Sequence, residues 1–213
     1  AYTETDSSLL DAMENNQYTS LDFRTVTGIT PTSNWIAGSE NKNSIFYVNS
    51  SVVNTNTNVI SGTNCTTLTL SDQGKDFQVP FDFTATSATY TRNFNGYGVV
   101  LLPFQAAVPA NVTAYTMVPG SGNVACTPIT GMIPANTPVL IAATGTVTFT
   151  GTGSVSTPKA ITVNQVNGVY HQIKVYAGAY VLKTENNVTG FYKVVAGSEP
   201  MIDPFQGYIT EGN

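Results

Sequence analysis

At 213 residues the chain can bury one large β domain or two small ones. Charged side chains are only 10% of it, the net charge is −5 and the eight Lys and Arg are scattered, which excludes a basic nucleic-acid stripe and any attraction to an anionic membrane surface. No apolar run reaches the ~20 residues of a membrane-spanning helix, yet 41% hydrophobic and 10% aromatic residues suffice for a core and exclude a disordered chain.

In chain order, residues 6–16 are predicted as a short helix. Asp6 caps it, Leu9, Leu10 and Met13 form one apolar face, and Asn15-Asn16 stop it. An internal repeat follows. Leu21-Asp22-Phe23 recurs as Ile45-Phe46-Tyr47 and again as Leu68-Thr69-Leu70, at intervals of about 24 residues. Asn34-Trp35-Ile36-Ala37-Gly38-Ser39 and Asn58-Val59-Ile60-Ser61-Gly62-Thr63 fall at the same offset within the first two units. This spacing predicts a short β-solenoid, with one strand per coil stacked in parallel and the N-terminal helix capping its open end. The run Asn54-Thr55-Asn56-Thr57-Asn58 lacks the carboxylates that calcium requires, so it reads as turn and ladder chemistry.

Phe77-Gln78-Val79-Pro80-Phe81-Asp82-Phe83 alternates apolar with polar residues and leads out of the repeat, which places a domain boundary between residues 1–75 and 76–213. Beyond it, strand signals recur at short intervals. Asn95-Gly96 and Asn186-Asn187 read as hairpin turns, and Pro119-Gly120-Ser121-Gly122-Asn123 as a loop. Many short strands with regular turns predict an antiparallel β-sandwich, so the expected class is mostly β: a capped solenoid followed by a sandwich. Cys65 and Cys126 are far apart in sequence. Two lone cysteines are more often free thiols, and a disulfide between them is the alternative.

The motifs of the second part occur in a characteristic order. Tyr90-Thr91-Arg92 leads to Leu102-Pro103-Phe104, then Val108-Pro109-Ala110-Asn111-Val112-Thr113-Ala114-Tyr115 and Ile133-Pro134-Ala135-Asn136-Thr137-Pro138-Val139-Leu140-Ile141. Tyr180-Val181-Leu182-Lys183, Gly190-Phe191-Tyr192-Lys193-Val194 and Pro204-Phe205-Gln206-Gly207-Tyr208-Ile209 complete it. This series resembles the C-terminal β-sandwich modules of large secreted or cell-surface proteins of Bacteroides-type bacteria, whose relatives carry leucine-rich-like or β-solenoid coils upstream. The resemblance covers roughly residues 64–213. It implies export and a cell-surface, outer-membrane-attached or periplasmic setting, and it brings no catalytic residue with it.

The residues themselves point away from catalysis. His171, the single histidine, sits among Tyr170, Ile173 and Val175 and reads as a strand histidine. There is no Gly-x-Ser-x-Gly elbow, no ligand pair at metal spacing and no implied cofactor. A hydrolase would have to draw on acids near the junction, Asp76 and Asp82 first. Aromatic rings are the candidates for binding, and Trp35, Tyr47, Tyr176 and Tyr180 lead. The expected function is a non-catalytic exported or surface module, adhesin-like or structural, with a glycan or a host or surface protein as partner. A carbohydrate-binding module of a polysaccharide-uptake system is the alternative, and a glycoside-hydrolase-like activity stands last.

Overall fold

The computed structural model describes residues 18–37, 42–73 and 75–211, and the predicted helix over residues 6–16 lies outside them. The described chain is mostly β, with one helical turn, α1 (Asn34–Ala37).

It begins with a parallel stack. Strand β2 (Ile45–Val48) lies between β1 (Ser20–Phe23) and β3 (Val59–Ser61), with Leu21 opposite Phe46 and Phe46 opposite Val59. All four β2 residues are buried because alternate side chains enter two different cores. Ile45 and Tyr47 join the main core, while Phe46 and Val48 meet Ile29 and Val59 in a smaller one.

No solenoid is evident among the described residues. The pairing of β1 with β2 follows the repeat, but the next parallel strand is Val59–Ser61, about half a period on. Leu68-Thr69-Leu70 instead lies in β4 (Asn64–Ser71), which pairs antiparallel with β3. The reason is local: Ser61 faces Asn64, so Gly62 and Thr63 form a two-residue hairpin turn, and Gly62 takes φ +63°. The chain reverses there rather than completing a coil.

Two buried asparagines then seal β4. Beyond its short pairing with β3, the edge at Thr69 and Ser71 meets side chains in place of backbone. Asn58 accepts from Thr69 N–H through Oδ1 at 2.7 Å and donates from Nδ2 to Thr69 O at 3.0 Å and Ser44 O at 3.1 Å. Asn43 treats Ser71 in the same way, at 2.9 and 3.1 Å. The carboxamide turns one N–H and its oxygen to the strand in the geometry of a peptide group, with its second N–H left for another carbonyl, which is why Asn can stand in for a strand here. Asn54 and Asn56 form an ordinary side-chain-to-backbone turn at 3.0 Å.

The centre of the protein is the pair β5 (Phe83–Val100) and β10 (Val139–Val155), antiparallel from Val100 opposite Val139 to Phe83 opposite Val155. The predicted hairpin at Asn95-Gly96 is not formed. Asn95 faces Thr144 and Gly96 faces Ala143 within the continuous ladder, where Gly96 and Gly145 take positive φ without a shift of register. A turn there would forfeit the cross-strand pairs on either side, so the long partner overrides the dipeptide signal.

Strand β6 (Gln105–Ala107) pairs with the far end of β10. A Cβ on Gly151 would stand 1.9 Å from the Gln105 carbonyl oxygen, so only glycine allows this approach. Near the other end of β10 lies β7 (Thr113–Pro119), joined to β8 (Val124–Ile129) by the expected Pro119–Asn123 turn. The short β9 (Met132–Ile133) pairs with β6.

A second, wholly antiparallel sheet contains β11 (Ile161–Val163) and β12 (Val166–Val169). The ribbon β13 (Ile173–Lys174) comes next in the chain and pairs with a later strand. The sheet resumes with β14 (Tyr180–Glu185) and β15 (Val188–Lys193), whose Asn186-Asn187 turn forms as expected, with φ +49° and +63°. Strand β16 (Met201–Ile202) completes the ribbon, and β17 (Gln206–Ile209) lies between β12 and β14.

The two large sheets face each other across Val99, Met117, Leu140, Val166 and Ile209, an arrangement that fits a β-sandwich. The main core crosses the expected boundary, combining Ile45, Leu68 and Leu70 with Tyr90, Phe104, Phe149 and Phe205. Phe205 holds φ +63°, a conformation costly for a bulky residue. Hydrogen bonds from Phe205 N–H to Val169 O (2.8 Å) and from Leu101 N–H to Phe205 O (2.9 Å), with its ring 4.9 Å from that of Tyr90, fix it there. Cys65 is buried, Cys126 is exposed, and both are free thiols.

Candidate functional site: a cleft between the two sheets

Where the sheets diverge beyond their shared core, they leave a cleft of about 960 Å³. That volume lies at the upper end of the range for small-molecule sites, roughly 300–1,000 Å³. One wall carries Tyr97, Leu140, Val124 and Cys126, and the other carries Tyr180, Leu182, Phe191 and Ile209. The Pro119–Asn123 turn, Gln165, Thr210 and Glu211 form the rim.

Strand periodicity explains how these residues meet. Tyr97 stands two positions before Val99 and so shares its inward face. Val124 and Cys126 alternate on β8, Tyr180 and Leu182 on β14, and Thr189 and Phe191 on β15. The cleft is therefore walled by side-chain faces of both sheets. Its floor continues the inter-sheet core, in which Tyr180, Leu182 and Phe191 are half-buried.

The mouth carries a compensated charge. Glu211 Oε1 accepts from Tyr180 Oη at 2.9 Å and from Lys193 Nζ at 2.5 Å. The Lys193 bond, helped by that from Tyr180, holds the Glu211 carboxyl below the usual carboxylate range. The same contacts with Glu211 push the Lys193 ammonium and the Tyr180 phenol up. Lys193 Nζ also lies 5.7 Å from the centre of the Tyr180 ring.

Of the four rings singled out from sequence, the structure brings Tyr180 to the cleft. Trp35 packs between Phe23 and Phe46, at 5.5 and 5.1 Å between ring centres. Tyr47 is buried, its hydroxyl donates to Phe81 O at 2.8 Å, and burial pushes its phenol well up. Tyr176 is 71% exposed and lies beside Lys174.

Among the acids, Asp76 meets His171, Oδ2 to Nδ1 at 3.5 Å, and accepts from Gln172 N–H at 2.8 Å. The Gln172 amide reaches Asp203 at 3.0 Å. These residues tie the segment before β5 to the β13 region, and their side chains are exposed. Asp82 lies just before β5, where its charge acts on Tyr47. Among the described residues, no group of three or more His, Cys, Asp or Glu side chains could hold a metal ion, and no helix is long and apolar enough to cross a membrane.

Tyr97, Phe191, Lys193 and Glu211 escaped the sequence reading. The shared parity of Tyr97 with Val99 was a usable signal. The meeting of Lys193 with Glu211 has no local signature, because Lys193 ends β15 while Glu211 follows β17, 18 residues later. No protein-family model, curated protein or solved structure matches the chain.

Proposed function

We propose that the chain is a non-catalytic binding module of an exported, surface-attached protein, with its ligand held in the cleft between the sheets. The finer architecture we assign is a two-sheet β-sandwich entered through a short parallel stack. The observation that carries the reading is the cleft itself: a concave space with an apolar floor, three aromatic rings and a polar rim, which is the usual composition of a binding site. The low content of charged residues and the resemblance to surface modules of Bacteroides-type proteins support the setting.

Cys126 offers a direct test, because it is exposed in the cleft while Cys65 is buried. The purified chain is applied to immobilised mucin, matrix proteins and glycans, with and without a bulky maleimide–polyethylene glycol adduct on Cys126. Binding abolished by the adduct supports the reading. Binding indifferent to the adduct removes the cleft as the site. An absence of binding to every surface would make the chain a structural spacer.

A further inference from the structure

Resting on that binding reading, we infer that the ligand of the cleft is a neutral glycan chain, held by ring stacking between opposed walls. Three observations lead there.

The first is the orientation of the walls. Val124 and Cys126 on β8, Tyr180 and Leu182 on β14, and Thr189 and Phe191 on β15 turn alternate side chains toward the cleft, so its walls present sheet faces. Gly190 is the intervening residue on β15, and β8 and β15 are the outer strands of their sheets. An extended peptide that joins a sheet as an added strand is held mainly by backbone hydrogen bonds to its edge. Inside this cleft its amides would be desolvated against side chains, at a cost for each unpaired group.

The second is charge. Among the described residues lining the cleft, Glu211 alone is charged at neutral pH, and Lys193 and Tyr180 already hold its carboxylate. An anionic sugar or a phosphate would find no spare cation in the lining. A cationic ligand would have to displace Lys193. A ligand without charge meets neither obstacle.

The third is the pairing of rings with short polar groups. Tyr97 stands on one wall, with Tyr180 and Phe191 on the other, and Asn123, Gln165 and Thr210 lie around the rim. A pyranose ring presents a C–H face to stack on an aromatic ring and hydroxyls at its edge to bond amides and hydroxyls. Amphipathic ligands of this kind match a surface that alternates rings with uncharged donors and acceptors.

The experiment uses the full chain and two sets of soluble probes. One set contains neutral oligosaccharides of gluco, galacto, manno and fuco configuration. The other contains uronate- and sialic-acid-bearing oligosaccharides, with an extended uncharged peptide as a third arm. Affinities are measured by calorimetry and compared with protection of Cys126 from a small maleimide. We expect a neutral glycan to bind and to slow the labelling. Tyr97→Ala and Phe191→Ala should each weaken binding by about tenfold, the loss of one stacked ring. Tyr176→Ala, whose exposed ring lies outside the cleft, should leave affinity unchanged. Tyr97 is 52% exposed, so its variant should fold normally, and an unchanged melting temperature checks this.

Binding and Cys126 protection by an acidic glycan or the peptide alone would overturn the neutral-glycan assignment and leave the binding module standing. Neutral-glycan binding that survives both ring variants would overturn the stacking geometry. Binding abolished by Tyr176→Ala would move the site out of the cleft, overturning both readings together.

Discussion

Replacing Asn58 tests whether the buried carboxamides hold β4 in place. Asn58 is fully buried, takes φ +60° and bonds to Thr69 N–H, Thr69 O and Ser44 O. In Asn58→Ala the Thr69 N–H loses its acceptor, which costs about 2 kcal/mol for a buried donor. An alanine in the left-handed region adds about 1 kcal/mol, and the two weakened carbonyls add a fraction more, for roughly 3–4 kcal/mol against a total stability of roughly 5–15 kcal/mol. Asn58→Gly removes the conformational part and should be less destabilising by about 1 kcal/mol. Asn58→Asp keeps the acceptor but turns an oxygen toward two carbonyl oxygens. Burial raises the folded carboxyl above its unfolded value of about 3.9, so this variant is least impaired in acid. Its deficit should widen by about 1.4 kcal/mol per pH unit as pH rises from there toward the folded value. Urea unfolding followed by Trp35 fluorescence is the assay, since the single tryptophan packs in the adjacent core. An Asn58→Ala loss under about 1 kcal/mol, equal losses for Ala and Gly, or a pH-independent Asp variant would refute the role given to the carboxamide.

Gly151→Ala should break the pairing of β6 with β10, because its Cβ would overlap the Gln105 carbonyl, and a drop of several kcal/mol is expected in the same unfolding assay. A near-wild-type melting curve would mean that β6 can move away freely. Burial pushes the Cys65 thiol from its ordinary 9.0 up to about 12. The folded state therefore holds that proton more tightly, and the stability it contributes is present below pH 9 and lost as pH rises toward 12. Buried Tyr47, Tyr90 and Tyr170 are raised in the same direction and steepen the alkaline loss further up. Native protein should take up maleimide at Cys126 alone, with Cys65 reacting only on unfolding, and Cys65→Ala should flatten the first part of the alkaline decline. Equal reactivity of the two thiols in the native state would contradict the burial.

Much of the mostly-β character was legible in the sequence, because it is written in local chemistry. Thr, Val, Tyr and Phe alternate at strand period, Asn186-Asn187 supplies two residues that tolerate the left-handed turn, and Pro119–Asn123 breaks one strand from the next. Those preferences act over a few residues and need no partner. Where a partner decides, the same signals misled. Asn95-Gly96 has the form of a turn but lies in a ladder, because β10 offers pairing on both sides of it. The in-phase repeat did place strands at Ile45-Phe46-Tyr47 and Leu68-Thr69-Leu70, but Val59–Ser61, assigned to the return path of the coil, became the next parallel strand, and the hairpin at Gly62-Thr63 reverses the chain after it. Tyr180 was visible as a binding candidate, and Phe191 reaches it across the β14–β15 hairpin, whereas Tyr97 faces them only because two sheets distant in sequence pack face to face. Local residue chemistry marked most of the segments that extend, some of the turns and the apolar face of many strands. The tertiary structure alone decided which apolar faces cover one another, and therefore where two sheets part to leave a cleft.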